Sequence, residues 1–219
     1  MYVGRIVAAG LTEKGKFCVM YRVSSRTFPN RIIKENNGAL FVMPKSGFES
    51  DIFKNPYISY NCLHSNQRYA VVGNGTHTDP IFEKLKEGMS MRDSIASVLL
   101  TMDYKQSTLD TPRISAIVDK KLRRAALGVV RENVIEVHVF DLQPGRYRYV
   151  TTYEHCVLFP NFGGDKLVVS SAEEAAQYIL SDGVFQSFNN PISAAAAIES
   201  ENGFILAHQN LNSSNEQAM

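Results

Sequence analysis

The sequence predicts an antiparallel α+β fold, and three observations carry that prediction. Strand-like runs gather between residues 2 and 72 and again between 113 and 153, with helical patterns following each group rather than separating successive strands. That order lacks the β–α–β alternation of a doubly wound parallel sheet. Short connections containing Asn, Gly or Ser join neighbouring runs, which is hairpin chemistry because Asn and Gly tolerate positive φ. Ile95, Val98, Leu99 and Met102 recur at i, i+3, i+4 and i+7, the spacing of one apolar helical face. With 219 residues the chain is long enough to bury a substantial core. No repeat or Pro/Gly/Ser-rich linker divides it, so residues 1–210 are expected to form one domain.

Taken in order, residues 2–8 and 17–23 read as the first strands, around the polar loop 12–16. Residues 31–33 and 39–43 flank Asn36-Asn37-Gly38, and 58–63 pairs with 68–72 around a Ser-Asn-Gln turn. Asp79-Pro80 offers an N-cap and a first-turn proline for a helix over 80–86. Ser90 and Asp93 form an S-x-x-D capping signature ahead of the second helix. Strands return at 113–118, 125–130, 134–140 and 147–153, their turns marked by Glu132-Asn133 and Pro144-Gly145. Ser171-Ala172-Glu173-Glu174 opens a third helix with Ala172, Ala175, Ala176, Ile179 and Leu180 inside. An alanine-rich segment at 192–198 follows, then an apolar run at 204–207 suited to a sheet edge; polar 211–219 is expected to fray.

Composition narrows the function. Lys and Arg number 23 against 22 Asp and Glu, a net charge of +1. Such balance gives no global field for nucleic acid or an anionic membrane, so any anion site must be local. No apolar run approaches the roughly 18–20 residues of a bilayer span, and the start Met1-Tyr2-Val3-Gly4-Arg5 lacks the pattern of a secretion signal. Cys18, Cys62 and Cys156 form no CxxC pair, and a reducing cytoplasm is the expected setting. Five histidines form no HExxH or Cys/His cluster, so no metal is expected.

Four stretches carry candidate chemistry. Residues 21–31 hold Arg22, Arg26 and Arg31 together with Ser24 and Ser25. The planar guanidinium fork makes two parallel charge-assisted bonds to phosphate, and hydroxyls fill the remaining lone pairs; a solvated loop with ordinary surface arginines has the same composition. In 55–62, alternation sets Ile58, Tyr60 and Cys62 on one face and Ser59 and Asn61 on the other. A buried Tyr60 hydroxyl near an arginine has the makings of a general acid or base, or it is a core aromatic with a satisfied hydroxyl. Cys62 reads as a nucleophile or, more simply, as a small buried hydrophobe. Gly73-Asn74-Gly75-Thr76-His77-Thr78-Asp79-Pro80 precedes a helix, where backbone N–H groups bind anions or developing oxyanions, although it lacks the Walker ending. Last, Asp103 and Tyr104 end the second helix and Arg113 opens a strand. These read as a base and a phosphate contact, or as helix termination and a surface ion pair.

Together these stretches resemble a known family. MYVGR, YRVSSRTFPNR, GFESDIFKNPYISYNC (47–62), GNGTHTDPI (73–81) and MDYKQSTLDTPRI (102–114) are similar to the archaeal-type IMP cyclohydrolase family, a match that covers the first half of the chain. Beyond Ile114 it rests on length and strand order. The resemblance implies a four-layer αββα sandwich of antiparallel sheets like that of N-terminal nucleophile hydrolases. It also implies ring closure of 5-formamidoimidazole-4-carboxamide ribotide to inosine monophosphate, without metal or cofactor, in a homotetramer. Tyr2 stands where those hydrolases expose Cys, Ser or Thr, so the fold is expected without the hydrolytic mechanism. On this reading Tyr60 transfers protons with Arg22 as its positive neighbour. Asn61, Asn74 and the Gly75 N–H orient the carboxamide or formyl oxygen, with Asp103 and Tyr104 as secondary candidates. Arg26, Arg31, Ser24, Ser25 and Arg113 face phosphate or ribose. Lys105 stands where an acid is expected in relatives, which puts a proton relay at that corner in question. The competing readings are an amide hydrolase of the same fold, using Cys62 or a processed N-terminus, and a purine-nucleotide sensor without catalysis.

Overall fold

The computed structural model describes residues 1–104, 110–159 and 161–211. Lys105 and most of the polar tail lie outside the described residues. Thirteen strands and four α-helices are described, and the strands form two antiparallel sheets. The first sheet has the order β11-β10-β1-β2-β12-β13, built from β1 (Ile6–Leu11), β2 (Phe17–Ser24), β10 (Tyr147–Thr151), β11 (Phe162–Gly164), β12 (Pro191–Ser200) and β13 (Gly203–Asn210). The second runs β3 to β9 in chain order: β3 (Arg31–Asn36), β4 (Ala39–Pro44), β5 (Tyr60–Ser65), β6 (Tyr69–Gly73), β7 (Arg113–Asp119), β8 (Arg124–Arg131) and β9 (Val134–Phe140).

Strand alternation distributes the core over three interfaces. Val7, Val19, Tyr21 and Val23 of the first sheet meet Ile33, Val42, Tyr60, Ile114 and Val129 of the second in one buried cluster. The opposite face of the first sheet, with Ile6, Ala8, Cys18, Met20, Ala194 and Ala196, packs under α4 (Ala172–Ser181). Alanines 172, 175 and 176 of that helix let it approach closely. The outer face of the second sheet, with Val71, Ile117, Ala126 and Val130, packs under α2 (Thr78–Lys86) and α3 (Met91–Met102). At Gly128 of β8 a Cβ would fall 2.2 Å from Ile95 Cγ2, so glycine is what allows α3 to seat. Among the described residues no helix is long and apolar enough to cross a membrane.

Local chemistry explains the boundaries. Asn37 and Gly38, at φ 50° and 75°, form the two-residue loop between β3 and β4. Ser90 and Ser171 cap α3 and α4 by accepting from the N–H groups of Asp93 and Glu174. α2 departs from expectation: it begins at Thr78 with His77 as N-cap, and Asp79 lies inside the first turn. Its carboxylate is engaged by Asn61 and His64 instead of the helix end. The sequence reading also lacks β11, a three-residue strand with two glycines, and α1 (Asp51–Lys54), which buries no side chain. Neither carries a periodic apolar signal. The alanine-rich segment is a strand, β12, whose small side chains fit between α4 and the facing sheet.

Candidate active site

The site forms where β2 and β5 face each other between the sheets. Tyr21 of β2 and Tyr60 of β5 share a hydrogen bond of 2.6 Å between their hydroxyls, and both rings are buried. Arg5, just ahead of β1, and Arg31, the first residue of β3, are buried beside them, at 9% and 1% exposure. The N-terminal segment is laced onto the chain after β10: Arg5 N–H donates to Thr152 Oγ1 and Tyr153 N–H to the Val3 carbonyl. Gly4 makes that path possible. It sits at φ 70°, and a Cβ there would fall 2.2 Å from Thr152 Oγ1.

Electrostatics set this cluster apart. Among the described residues neither Arg5 nor Arg31 has a carboxylate partner; Arg31 Nε donates to the Phe28 carbonyl, 3.1 Å away. Arg5 Nε and both terminal nitrogens of Arg31 are buried without a protein partner among the described residues. Burial works against the Arg5 charge, yet Tyr60, Tyr21, Tyr153 and Tyr2 hold its pKa above the ordinary value. Burial, and then the charge of Arg5, lower that of Arg31. Burial first, and then Tyr60, push the Tyr21 phenol well above its usual range. Tyr21 therefore keeps its proton and can donate it to Tyr60 oxygen. At the rim, the Tyr2 ring stacks on Tyr153 at 5.8 Å, and the exposed Arg26 guanidinium lies 4.1 Å over Tyr2. Thr111 Oγ1 meets the Tyr153 hydroxyl at 3.2 Å. Buried donors without acceptors among the described residues, beside a hydrogen-bonded phenol pair, suit an anionic ligand and a proton transfer.

Several expected residues are elsewhere. Arg22 and Ser24 alternate against Val23 as expected, but that alternation points them at α4, away from Tyr60. Arg22 Nε donates to Ser24 Oγ, and its terminal nitrogens donate to the carbonyls of Ile179, Phe185 and Phe188. The positive neighbours of Tyr60 are Arg5 and Arg31. Asn61 faces α2, donating to Asp79. Asn74 uses its amide on backbone, donating to the Pro112 carbonyl and accepting from Ile114 N–H, so it ties β6 to β7 rather than facing a ligand. Gly75 accepts from both the N–H and hydroxyl of Thr78, opening α2. Ser25 Oγ accepts from Phe28 N–H and shapes the loop to Arg31. Asp103 ends α3 at φ 52°, its carboxylate accepting from Tyr104 N–H and its carbonyl from Arg113 Nε. Arg113 alternates against Ile114 and so lies on the helix side of β7, near Tyr57. Cys62 is fully buried below Tyr21, donates to the Leu40 carbonyl, and has its thiol pKa pushed up by burial, which removes its nucleophilicity.

The sequence reading missed Arg5, Tyr21, Tyr2 and Tyr153 as site residues. A signal existed for one of them: in β2, Tyr21 shares parity with Val19 and Val23, so a buried Tyr60 on a facing strand has Tyr21, not Arg22, to meet. The other three required knowing that the N-terminal segment runs beside 152–153.

Two facing sheets close over a phenol pair and two arginines that have no carboxylate partner among the described residues, an arrangement that suits a small anionic molecule. The chain belongs to the IMP cyclohydrolase-like protein family, whose model matches residues 2–203. It is 41% identical over 202 residues to an IMP cyclohydrolase of Methanosphaera stadtmanae, covering 92% of this chain and 96% of that protein. The IMP cyclohydrolase of Methanocaldococcus jannaschii is 39% identical over 208 residues, 94% and 98% of the two chains. That of Methanocella arvoryzae is 41% identical over 211 residues, 96% and 98%.

Proposed function

We propose that this chain is an IMP cyclohydrolase that closes the pyrimidine ring of 5-formamidoimidazole-4-carboxamide ribotide, giving inosine monophosphate and water. Near full-length similarity to IMP cyclohydrolases supports the activity. The observation that carries the site is the buried Arg5–Arg31 pair flanking the Tyr21–Tyr60 hydrogen bond. In the reaction the carboxamide nitrogen bonds to the formyl carbon of the same molecule, so much of the task is orientation. The formyl oxygen leaves as water with two hydrogens, one from the carboxamide nitrogen and one from the formamido nitrogen. Tyr60 moves a proton at the reacting centre, and Tyr21, which keeps its own, restores it. Arg5 and Arg31 hold the charge that develops on the formyl oxygen, acting in a dry site where such interactions are strong. Arg26, on the loop that contains Ser25, takes the phosphate at the rim. Asp103, Tyr104 and Arg113 form the corner beside Tyr57 and are secondary to this centre.

The order helix, sheet, sheet, helix supports kinship with N-terminal nucleophile hydrolases, with residues 1–210 acting as one unit and Tyr2 in the rim stack instead of as a nucleophile. Assembly as a homotetramer accords with the family resemblance and with the exposed apolar residues Phe48, Ile52 and Phe53, of which Phe53 is 92% exposed. The activity is tested by incubating purified protein with the formamido ribotide and following inosinate absorbance. Turnover is expected; binding of inosinate without turnover would replace this reading with that of a nucleotide sensor.

A further inference from the structure

Arg22 is fully buried and has no carboxylate partner among the described residues; its acceptors, besides Ser24, are the carbonyls of Ile179, Phe185 and Phe188. Ile179 lies in the last turn of α4, where carbonyls lack helical partners and a cation is favoured. The other two carbonyls belong to the 3-10 turn Gly183–Ser187 and the residue after it. The next dipeptide has two further attachments. Asn189 N–H donates to the Met1 carbonyl at 2.8 Å, and the Asn190 carbonyl accepts from Ser25 N–H at 3.3 Å. Asn190 is held at φ 57°, a conformation that Asn tolerates and most residues avoid. Met1 is followed by Tyr2, and Ser25 by Arg26. Both members of the rim pair, whose guanidinium and ring are 4.1 Å apart, are thus tied through their neighbours to one dipeptide, in addition to the hold that 152–153 has on the N-terminal segment.

We propose that Arg22 is a positioning residue for substrate binding: by gathering the carbonyls of α4 and the 183–188 turn, it sets the Asn189–Asn190 dipeptide, which holds Tyr2 against Arg26 at the mouth of the site. This rests on the ring-closure reading. A lysine cannot replace the guanidinium, because a single ammonium does not span three carbonyls on two elements. Loss of the clamp loosens the rim and leaves the Tyr21–Tyr60 pair, on the other face of the sheet, in place.

The test is a double-mutant cycle with Arg22→Lys and Tyr2→Leu, reading KM and kcat for the formamido ribotide. Each single variant is expected to raise KM about tenfold with kcat within about twofold of wild type, and the double variant to be no more than about twofold worse than either. A multiplicative, roughly hundredfold rise in the double variant would show that the two residues act independently and overturn the proposal. So would an Arg22→Lys variant that loses kcat at unchanged KM. If Arg22→Lys does not fold, Asn190→Ala, which strains the dipeptide itself, must reproduce the KM effect and its non-additivity with Tyr2→Leu; an unchanged KM overturns the proposal. Amide exchange at Ser25 and Asn189 needs no ligand and separates this inference from the assigned reaction. Faster exchange in Arg22→Lys supports the clamp even if wild type fails to turn over, and unchanged exchange refutes it even if wild type is active.

Discussion

Arg31→Met should make the protein more stable and the enzyme inactive. Arg31 is fully buried, and two of its nitrogens have no protein partner among the described residues. Each buried unsatisfied donor costs about 1–3 kcal/mol, and Arg5 adds like-charge repulsion. Methionine fills nearly the same path with apolar atoms; the loss is one hydrogen bond to the Phe28 carbonyl, about 1 kcal/mol. Relaxation of the neighbouring side chains around the arginine relieves part of its penalty, which places the net gain at the low end, about 1–2 kcal/mol. For a chain of this size that is a rise in Tm of roughly 2–8 °C. Scanning calorimetry of wild type and variant reads it directly. Repeating the scan with inosine monophosphate supplies the second half: ligand at a hundred times its Kd stabilises wild type by about 2.7 kcal/mol, and the variant should respond far less. A variant that melts below wild type while retaining the ligand shift would refute the reasoning, because Arg31 would then support the fold and not the ligand.

Gly128→Ala forces a methyl into Ile95 and should destabilise the protein by about 1–3 kcal/mol, read from the denaturation midpoint, with KM unchanged. Burial raises the thiol pKa of Cys18 to about 12, pushes that of Cys62 well above the usual thiol range, and raises that of half-buried Cys156 to about 11. A thiol reagent on native protein should therefore modify Cys156 slowly and the other two only after unfolding, as peptide mass mapping would reveal. Burial lowers the pKa of His155, whose Nδ1 lies 2.9 Å from the Tyr149 hydroxyl and accepts from it when neutral. The unfolded chain then binds a proton before the native one, so this contribution is complete above about pH 6.5 and is lost as pH falls through the depressed native value. The drop in Tm between pH 7.5 and pH 5 should be smaller in His155→Gln than in wild type.

Much of the fold was legible because it rests on local patterns. The Asn37-Gly38 turn, the Ser90 cap and the alternation in β2 each follow from a few residues. Strand 134–140 and the apolar face of α3 were equally plain. The site was less so, since it is assembled from contacts that no local pattern encodes. Tyr60 was readable as a buried phenol near an arginine and Arg31 as one of three arginines suited to phosphate, but Arg5 enters only because the segment ahead of β1 runs beside 152–153. Arg22 shows the opposite failure: an arginine beside hydroxyls looks like a phosphate contact, while its parity assigns it to the carbonyls under α4. Asn74 and Asp79 misled for a related reason, each being a polar side chain whose partner is distant backbone or another strand.

The most direct test of the central claim is single-turnover conversion of the formamido ribotide by Tyr60→Phe, with substrate affinity measured alongside. Removing one hydroxyl from the Tyr21–Tyr60 pair should slow ring closure by about 10² or more while binding is largely kept. A variant that converts substrate at the wild-type rate would take the phenol pair out of the chemistry, and the arginines beside it would lose their assigned role.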